Sequence, residues 1–168
     1  MILVTLGTQD QKFYRLLDCI EKSKIKDEII VQAGGSSDYV SKKMKILKFI
    51  NYDEMNKLID EADLIITHGG TGSILTPLKK GKKVIAMARL EKYGEHINDH
   101  QVEFARNVAK RMGTIIPVED IETLEDVIKN YDQIVKGMKG KINSNNEKFN
   151  ERLEELVEKL YEDSKRRK

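Results

Sequence analysis

Short apolar runs alternate along this chain with longer stretches in which apolar residues recur every third or fourth position. Ile2-Leu3-Val4-Thr5-Leu6, Ile29-Ile30-Val31, Leu64-Ile65-Ile66, Val84-Ile85-Ala86-Met87 and Thr114-Ile115-Ile116 (closed by Pro117) have the length of buried strands, and Ile46 to Ile50 can supply another. Phe13, Leu16, Leu17 and Ile20 fall at helical spacing, as do Met55, Leu58, Ile59 and Ala62. Val102, Phe104, Ala105, Val108 and Ala109 predict a third helix, and a helical stretch also separates Ile66 from Val84. Asn51 or Asp53 suits the N-cap of the second helix. Strands apolar on both faces, alternating with helices, predict a doubly wound, Rossmann-like α/β domain on a parallel sheet.

From Asn143 the texture changes. Phe149, Leu153, Leu156, Val157 and Leu160 form one stripe of a long helix, and the chain closes with Lys165-Arg166-Arg167-Lys168. Two units are therefore expected: an α/β domain over 1–142 and an amphipathic helix with a basic tail over 143–168. The second would pack on the domain or on a partner.

Composition narrows the class. A chain of 168 residues suits a single core, and 39% hydrophobic with 35% charged residues describes a soluble globular protein. With 30 basic and 28 acidic side chains the net charge is +2, which offers no support for nucleic-acid binding. The single cysteine, Cys19, excludes an internal disulfide and is expected to act as a small apolar side chain on a helix. No export signal opens the chain and no run approaches the ~20 apolar residues of a membrane span.

Chemistry concentrates in two places. The first is His68-Gly69-Gly70-Thr71-Gly72-Ser73, directly after an apolar run. In an open parallel sheet, ligands sit beyond the carboxyl ends of the strands. Glycines there let the backbone approach a ligand, and free N–H groups favour an anion. Neither GxGxxG nor GxxxxGK[ST] is completed, since Leu75 and Lys83 stand where those motifs need other residues. Two geometries are compatible with the sequence: the glycines open the helix, or Thr76-Pro77 starts it and the glycines form a loop.

The second place is Arg89 to Gln101, which gathers Arg89, Glu95, His96, Asn98, Asp99, His100 and Gln101 at the same sheet edge. His96 and His100 are four residues apart but lack the glutamate arrangement of HExxH, and no cysteine cluster joins them, so no metal is expected. These groups suit hydrogen bonds to sugar and ribose hydroxyls, with Arg89 helping to stabilise a departing diphosphate.

These motifs carry a resemblance. "VTLGT" from Val4, "ITHGGTGSILTPLKKGKKVI" and "GEHINDHQVEF" together resemble the donor-binding half of MurG-like GT-B glycosyltransferases. They are most similar to the PssE-like stand-alone subunits of bacterial exopolysaccharide synthesis. The soluble subunit of the two-part UDP-GlcNAc transferase of lipid-linked oligosaccharide assembly is a eukaryotic relative. The resemblance spans Val4 to Phe104. It implies one half of a GT-B architecture and a UDP-sugar donor, with no cofactor. Gly69 to Ser73 would contact the diphosphate, with Gly7-Thr8 approaching from the first loop. Gln101 and the residues before it would meet the sugar, and Gly34-Gly35-Ser36 would lie near the acceptor or the partner.

The acceptor, lipid-linked, would be held by a separate membrane-associated subunit on the cytoplasmic face, so this chain would be cytoplasmic and peripheral through that partner. The general base would come from the partner, or from His96 or Asp99. Two departures stand out: Thr76 occupies the place of a ribose-holding glutamate, and His100 that of an aspartate. The alternatives are a non-catalytic subunit that activates a partner transferase, or a nucleotide-binding α/β domain acting alone.

Overall fold

The structure, a computed structural model, describes residues 1–140. Six strands are present: β1 (Ile2–Thr5), β2 (Ile29–Gln32), β3 (Met44–Leu47), β4 (Leu64–Thr67), β5 (Val84–Met87) and β6 (Ile115–Val118). Six helices accompany them: α1 (Tyr14–Lys22), α2 (Tyr52–Glu61), α3 (Thr71–Lys79), α4 (His100–Met112), α5 (Leu124–Lys129) and α6 (Tyr131–Gly137). The strands form one sheet in the order β3-β2-β1-β4-β5-β6, and every neighbouring pair is parallel. The chain returns from β3 to the far side of β1, so the order reverses between β1 and β4. A crevice beyond the carboxyl ends of these two strands is where such a sheet receives ligands.

Both faces are covered, which explains why the inner strands are apolar except at the carboxyl ends of β1, β2 and β4. On one face Phe13, Leu16, Leu17 and Ile20 of the α1 region pack with Leu124 against Ile2, Val4, Val31 and Ile66. On the other, Ile59, Ile74, Leu78, Ala105 and Val108 from α2, α3 and α4 cover Leu3, Ile65, Val84, Ala86 and Ile115. Cys19 is half-buried on α1, and burial raises its thiol pKa, as suits a packing role. The N-cap of α2 is Asn51. Its side chain accepts from Glu54 N at 2.8 Å while Glu54 Oε2 accepts from Asn51 N at 3.2 Å, a capping box.

Two expectations need correction, and one of the two geometries left open after β4 is excluded. The third strand runs over Met44–Leu47 and not Ile46 to Ile50, because Met44 is the residue this edge strand buries. Pro117 does not close the last strand but lies within it; β6 is an edge, where a missing N–H costs no ladder bond. The helix after β4 begins at Thr71 with Gly70 as N-cap, so Thr76-Pro77 does not start it. Pro77 is buried near its end, where the carbonyl it leaves unpaired belongs to Ser73 in the first turn. The helix expected over 143–168 lies outside the described residues.

Candidate ligand-binding site

A cavity of about 650 Å³ opens at the β1–β4 crevice. Thr5, Gly7, Thr8 and Gln9 line it from β1 and its following loop, and His68, Gly70, Gly72, Ser73, Thr76 and Pro77 from the end of β4 and α3. Phe49 and Ile50 from the loop after β3 and Tyr52, Met55, Asn56 and Ile59 from α2 form the wall, while His96 from the loop before α4 and His100 and Gln101 from its first turn close it.

Each glycine of the 69–72 stretch has a separate cause. Gly69 has φ +85°, a left-handed conformation that side chains rarely adopt. A Cβ on Gly70 would lie 2.4 Å from Nε2 of His68, and one on Gly7 2.7 Å from Cε1 of the same ring, so the imidazole fits only between two glycines. Gly72 has nothing within 4 Å of its missing side chain and leaves the first turn of α3 uncovered beside the cavity. That turn presents backbone N–H groups without intrahelical partners and the positive end of the helix dipole.

His68 is 8% exposed, and its Nδ1–H donates to the Thr5 carbonyl at 3.2 Å, which leaves Nε2 as the lone-pair nitrogen. Burial pulls its pKa down to about 4; the Thr5 hydrogen bond opposes this, and nearby Arg89 and His96 add to it. The ring is therefore neutral at pH 7. Ser73 lines the cavity, but its hydroxyl is engaged locally: it donates to Gly70 O at 2.8 Å and meets Thr67 Oγ1 at 2.9 Å. Thr67 Oγ1 also accepts from Gly69 N at 3.0 Å. This network holds the turn in the shape that offers main-chain N–H groups.

The residues from Arg89 to Gln101 divide into frame and lining. Arg89 is fully buried and does not line the cavity, contrary to the expected role beside a diphosphate. Its guanidinium donates to the carbonyls of Leu6 (2.8 Å), Gln11 (2.7 Å) and Glu95 (3.1 Å), and lies 5.0 Å from the Phe13 ring. Burial lowers its pKa to about 10, opposed by Glu95, so it stays cationic at neutral pH.

Glu95 likewise faces away from the cavity, accepting from Arg15 at 2.9 and 2.8 Å and from Leu90 N at 3.0 Å. Asn98 and Asp99 are exposed and outside the cavity; Asn98 bonds His100, and Asp99 accepts from Glu91 N at 2.8 Å. Gly69 and Thr71 also lie outside its lining. Asp99 instead borders a separate cavity of about 370 Å³ between α4 and β6.

His96 does line the cavity, with its Nδ1 on Asn98 O at 3.1 Å and its Nε2 at 3.0 Å from Nε2 of Gln9. His100 lies edge-on to it, ring centroids 4.7 Å apart. Gln101 is 3% exposed; its Oε1 accepts from Arg89 N at 3.3 Å, and its NH₂ group has no partner among the described residues. Gly34-Gly35-Ser36 packs beneath the loop after β1: Ser36 Oγ accepts from Phe13 N at 2.9 Å, and a Cβ on Gly34 would strike Gly7 O at 2.1 Å. Among the described residues no group of three or more His, Cys, Asp or Glu is placed to hold a metal ion.

Sequence reasoning missed Gln9, Gln32, Phe49, Tyr52 and Asn56. Gln32 is the most informative: it is 4% exposed, accepts from Gly7 N at 3.1 Å and donates to Gly7 O at 2.9 Å, clamping that turn. A glutamine ending the apolar run Ile29-Ile30-Val31 was its only signal.

A six-stranded, doubly wound sheet with its cavity at the strand reversal defines a Rossmann-like domain. Residues 1–115 match the glycosyltransferase family 28 C-terminal domain, and the chain belongs to that family. The UDP-N-acetylglucosamine transferase subunit ALG13 of Debaryomyces hansenii is 28% identical over 120 residues, 64% of this chain and 54% of its own length. The Homo sapiens protein of the same name is 31% identical over 121 residues, 65% of this chain and 10% of its own. The chain thus spans about half or less of these relatives. Acinetobacter baumannii MurG superposes with a TM-score of 0.52 at 17% identity, covering 78% of this chain and 42% of its own. The glycotransferase of kitacinnamycin gives 0.53 at 16% identity, covering 83% and 35%. These two likenesses show the shared fold.

Proposed function

We propose that this chain binds the donor in a two-part glycosyltransferase, holding a UDP-sugar while a partner subunit presents a lipid-linked acceptor. The observation that carries the reading is the cavity at the β1–β4 reversal, with the uncovered first turn of α3 on its wall. Two linked phosphoryl groups match free main-chain N–H groups at a helix start. The apolar wall of Phe49, Tyr52 and Met55 suits a flat base, and the NH₂ group of Gln101 suits a sugar hydroxyl. The names of the relatives support a UDP-sugar and a subunit assembly.

The chemistry assigned to this chain is orientation of the donor and stabilisation of departing UDP by backbone dipoles. Its neutral His68 shapes the turn and carries no proton in the reaction. The base that deprotonates the acceptor comes from the partner, since Asp99 lies off the cavity and His96 is held by Gln9. Among the described residues no helix is long and apolar enough to cross a membrane; the partner would bring the chain to the cytoplasmic membrane face. Whether the glycan is an exopolysaccharide, as in the PssE-like branch, or another lipid-linked product depends on that partner.

Calorimetric titration of the full chain and of the assembled pair with UDP tests the reading. Saturable binding, lost in Gly70→Trp, is expected; absence of binding by both would end it.

A further inference from the structure

We propose that the hydroxyl of Thr5 is itself a ligand-binding group, donating a hydrogen bond to a phosphate oxygen of the nucleoside diphosphate. It rests on the donor-binding reading of the same cavity and adds Thr5, a residue of the VTLGT stretch to which the resemblance gives no role.

The register places Gln32, Thr5 and Thr67 side by side across β2, β1 and β4. Residues in register on parallel strands share a face, so the three form one polar row at the carboxyl edge of the sheet. The row before it on the same face, Ile30, Leu3 and Ile65, is apolar and buried. All three polar residues are buried as well, at 4%, 4% and 0% exposure.

Their hydrogen bonding differs. Gln32 is held by the backbone of Gly7, and Thr67 by Gly69 N and Ser73 Oγ. Thr5 Oγ1, in the middle, has no partner among the described residues, although Thr5 lines the cavity. A buried hydroxyl without a partner destabilises a fold, and valine would fill the same space without that cost. The fold therefore has no use for the oxygen; a polar ligand in the cavity does. Thr5 stands one strand, about 4.8 Å, from Thr67, whose hydroxyl touches Ser73 in the first turn of α3. The ligand group nearest such a helix start is an anion, which selects a phosphate oxygen over the base or the sugar.

The experiment compares the full-length wild type with Thr5→Val and Thr5→Ser, by UDP calorimetry and by thermal unfolding without ligand. Thr5→Val should unfold at or above the wild-type temperature yet bind UDP about tenfold more weakly, the loss expected for a hydrogen bond to a charged oxygen. Thr5→Ser, which keeps the hydroxyl, should bind within about threefold of wild type. Wild-type affinity in Thr5→Val overturns the proposal and leaves the donor site standing, as does a marked drop in its unfolding temperature, which would give the hydroxyl to the fold. No UDP binding by the wild type overturns both.

Discussion

The guanidinium of Arg15 and the carboxylate of Glu95 meet in a two-pronged ion pair, at 2.9 and 2.8 Å, across 80 residues of sequence. Their side chains are 15% and 3% exposed, and Arg15 also donates to Ala88 O at 3.1 Å. With Arg89 on the carbonyls of Leu6, Gln11 and Glu95, this pair fastens the region after β1 to the loop before α4. The cavity wall is built from both, so its shape depends on an ion pair that does not touch it.

Glu95→Ala should therefore destabilise the fold by about 3 kcal/mol, because it leaves Arg15 without its counter-charge in a largely buried place. Urea unfolding measures the loss. UDP affinity should fall with it, and a variant that unfolds like wild type would show that the pair contributes nothing.

Two glycines two residues apart should respond in opposite ways. Gly70→Ala forces a Cβ against His68 and should lower both stability and UDP binding. Gly72→Ala meets nothing and replaces a poor helix former, so stability should be unchanged or higher by up to about 1 kcal/mol, while UDP binding weakens. Thermal unfolding alongside calorimetry separates the two effects.

His68 should make stability depend on pH. Its pKa is about 4 when folded, against an ordinary value near 6.5. Because the folded value is depressed, the contribution is fully present above pH 6.5 and is lost as pH falls towards 4, where the unfolded chain takes up a proton that the folded chain refuses. The loss attributable to this residue is about 3 kcal/mol. Unfolding free energies of wild type and His68→Gln from pH 7 to 4 check it: the difference between the curves should shrink across that window.

Phe49 and Tyr52 are 55% and 76% exposed at the cavity wall, so little of the fold rests on them. Phe49→Ala and Tyr52→Ala should leave urea unfolding within about 0.5 kcal/mol of wild type. UDP binding should weaken about tenfold in at least one of them, as expected when an aromatic face is removed from a base. Unchanged binding in both would place the base elsewhere.

The sheet was legible because strands buried on two faces are apolar at nearly every position, and five runs of this chain are. The edge strands were less so. In β3 only Met44 is deeply buried, and Pro117 looks like an ending when it is a tolerated edge position. In the site, the glycine stretch announced itself through its density, three glycines in four positions. Arg89 and Glu95 misled because a polar residue in a loop carries the same letter whether it faces a ligand or braces the backbone. Thr5 and Gln32 stayed hidden because their meaning lies in the neighbour across the sheet, and register is not written in either strand alone.

Arg89 grips its three neighbours only through their carbonyl oxygens. Main-chain oxygens are the same in every amino acid. Those three bonds are thus indifferent to the side chains of Leu6 and Gln11, while Glu95 serves twice, with its carbonyl on Arg89 and its carboxylate on Arg15; substitutions elsewhere in these loops can reshape the cavity while the scaffold that presents them holds still.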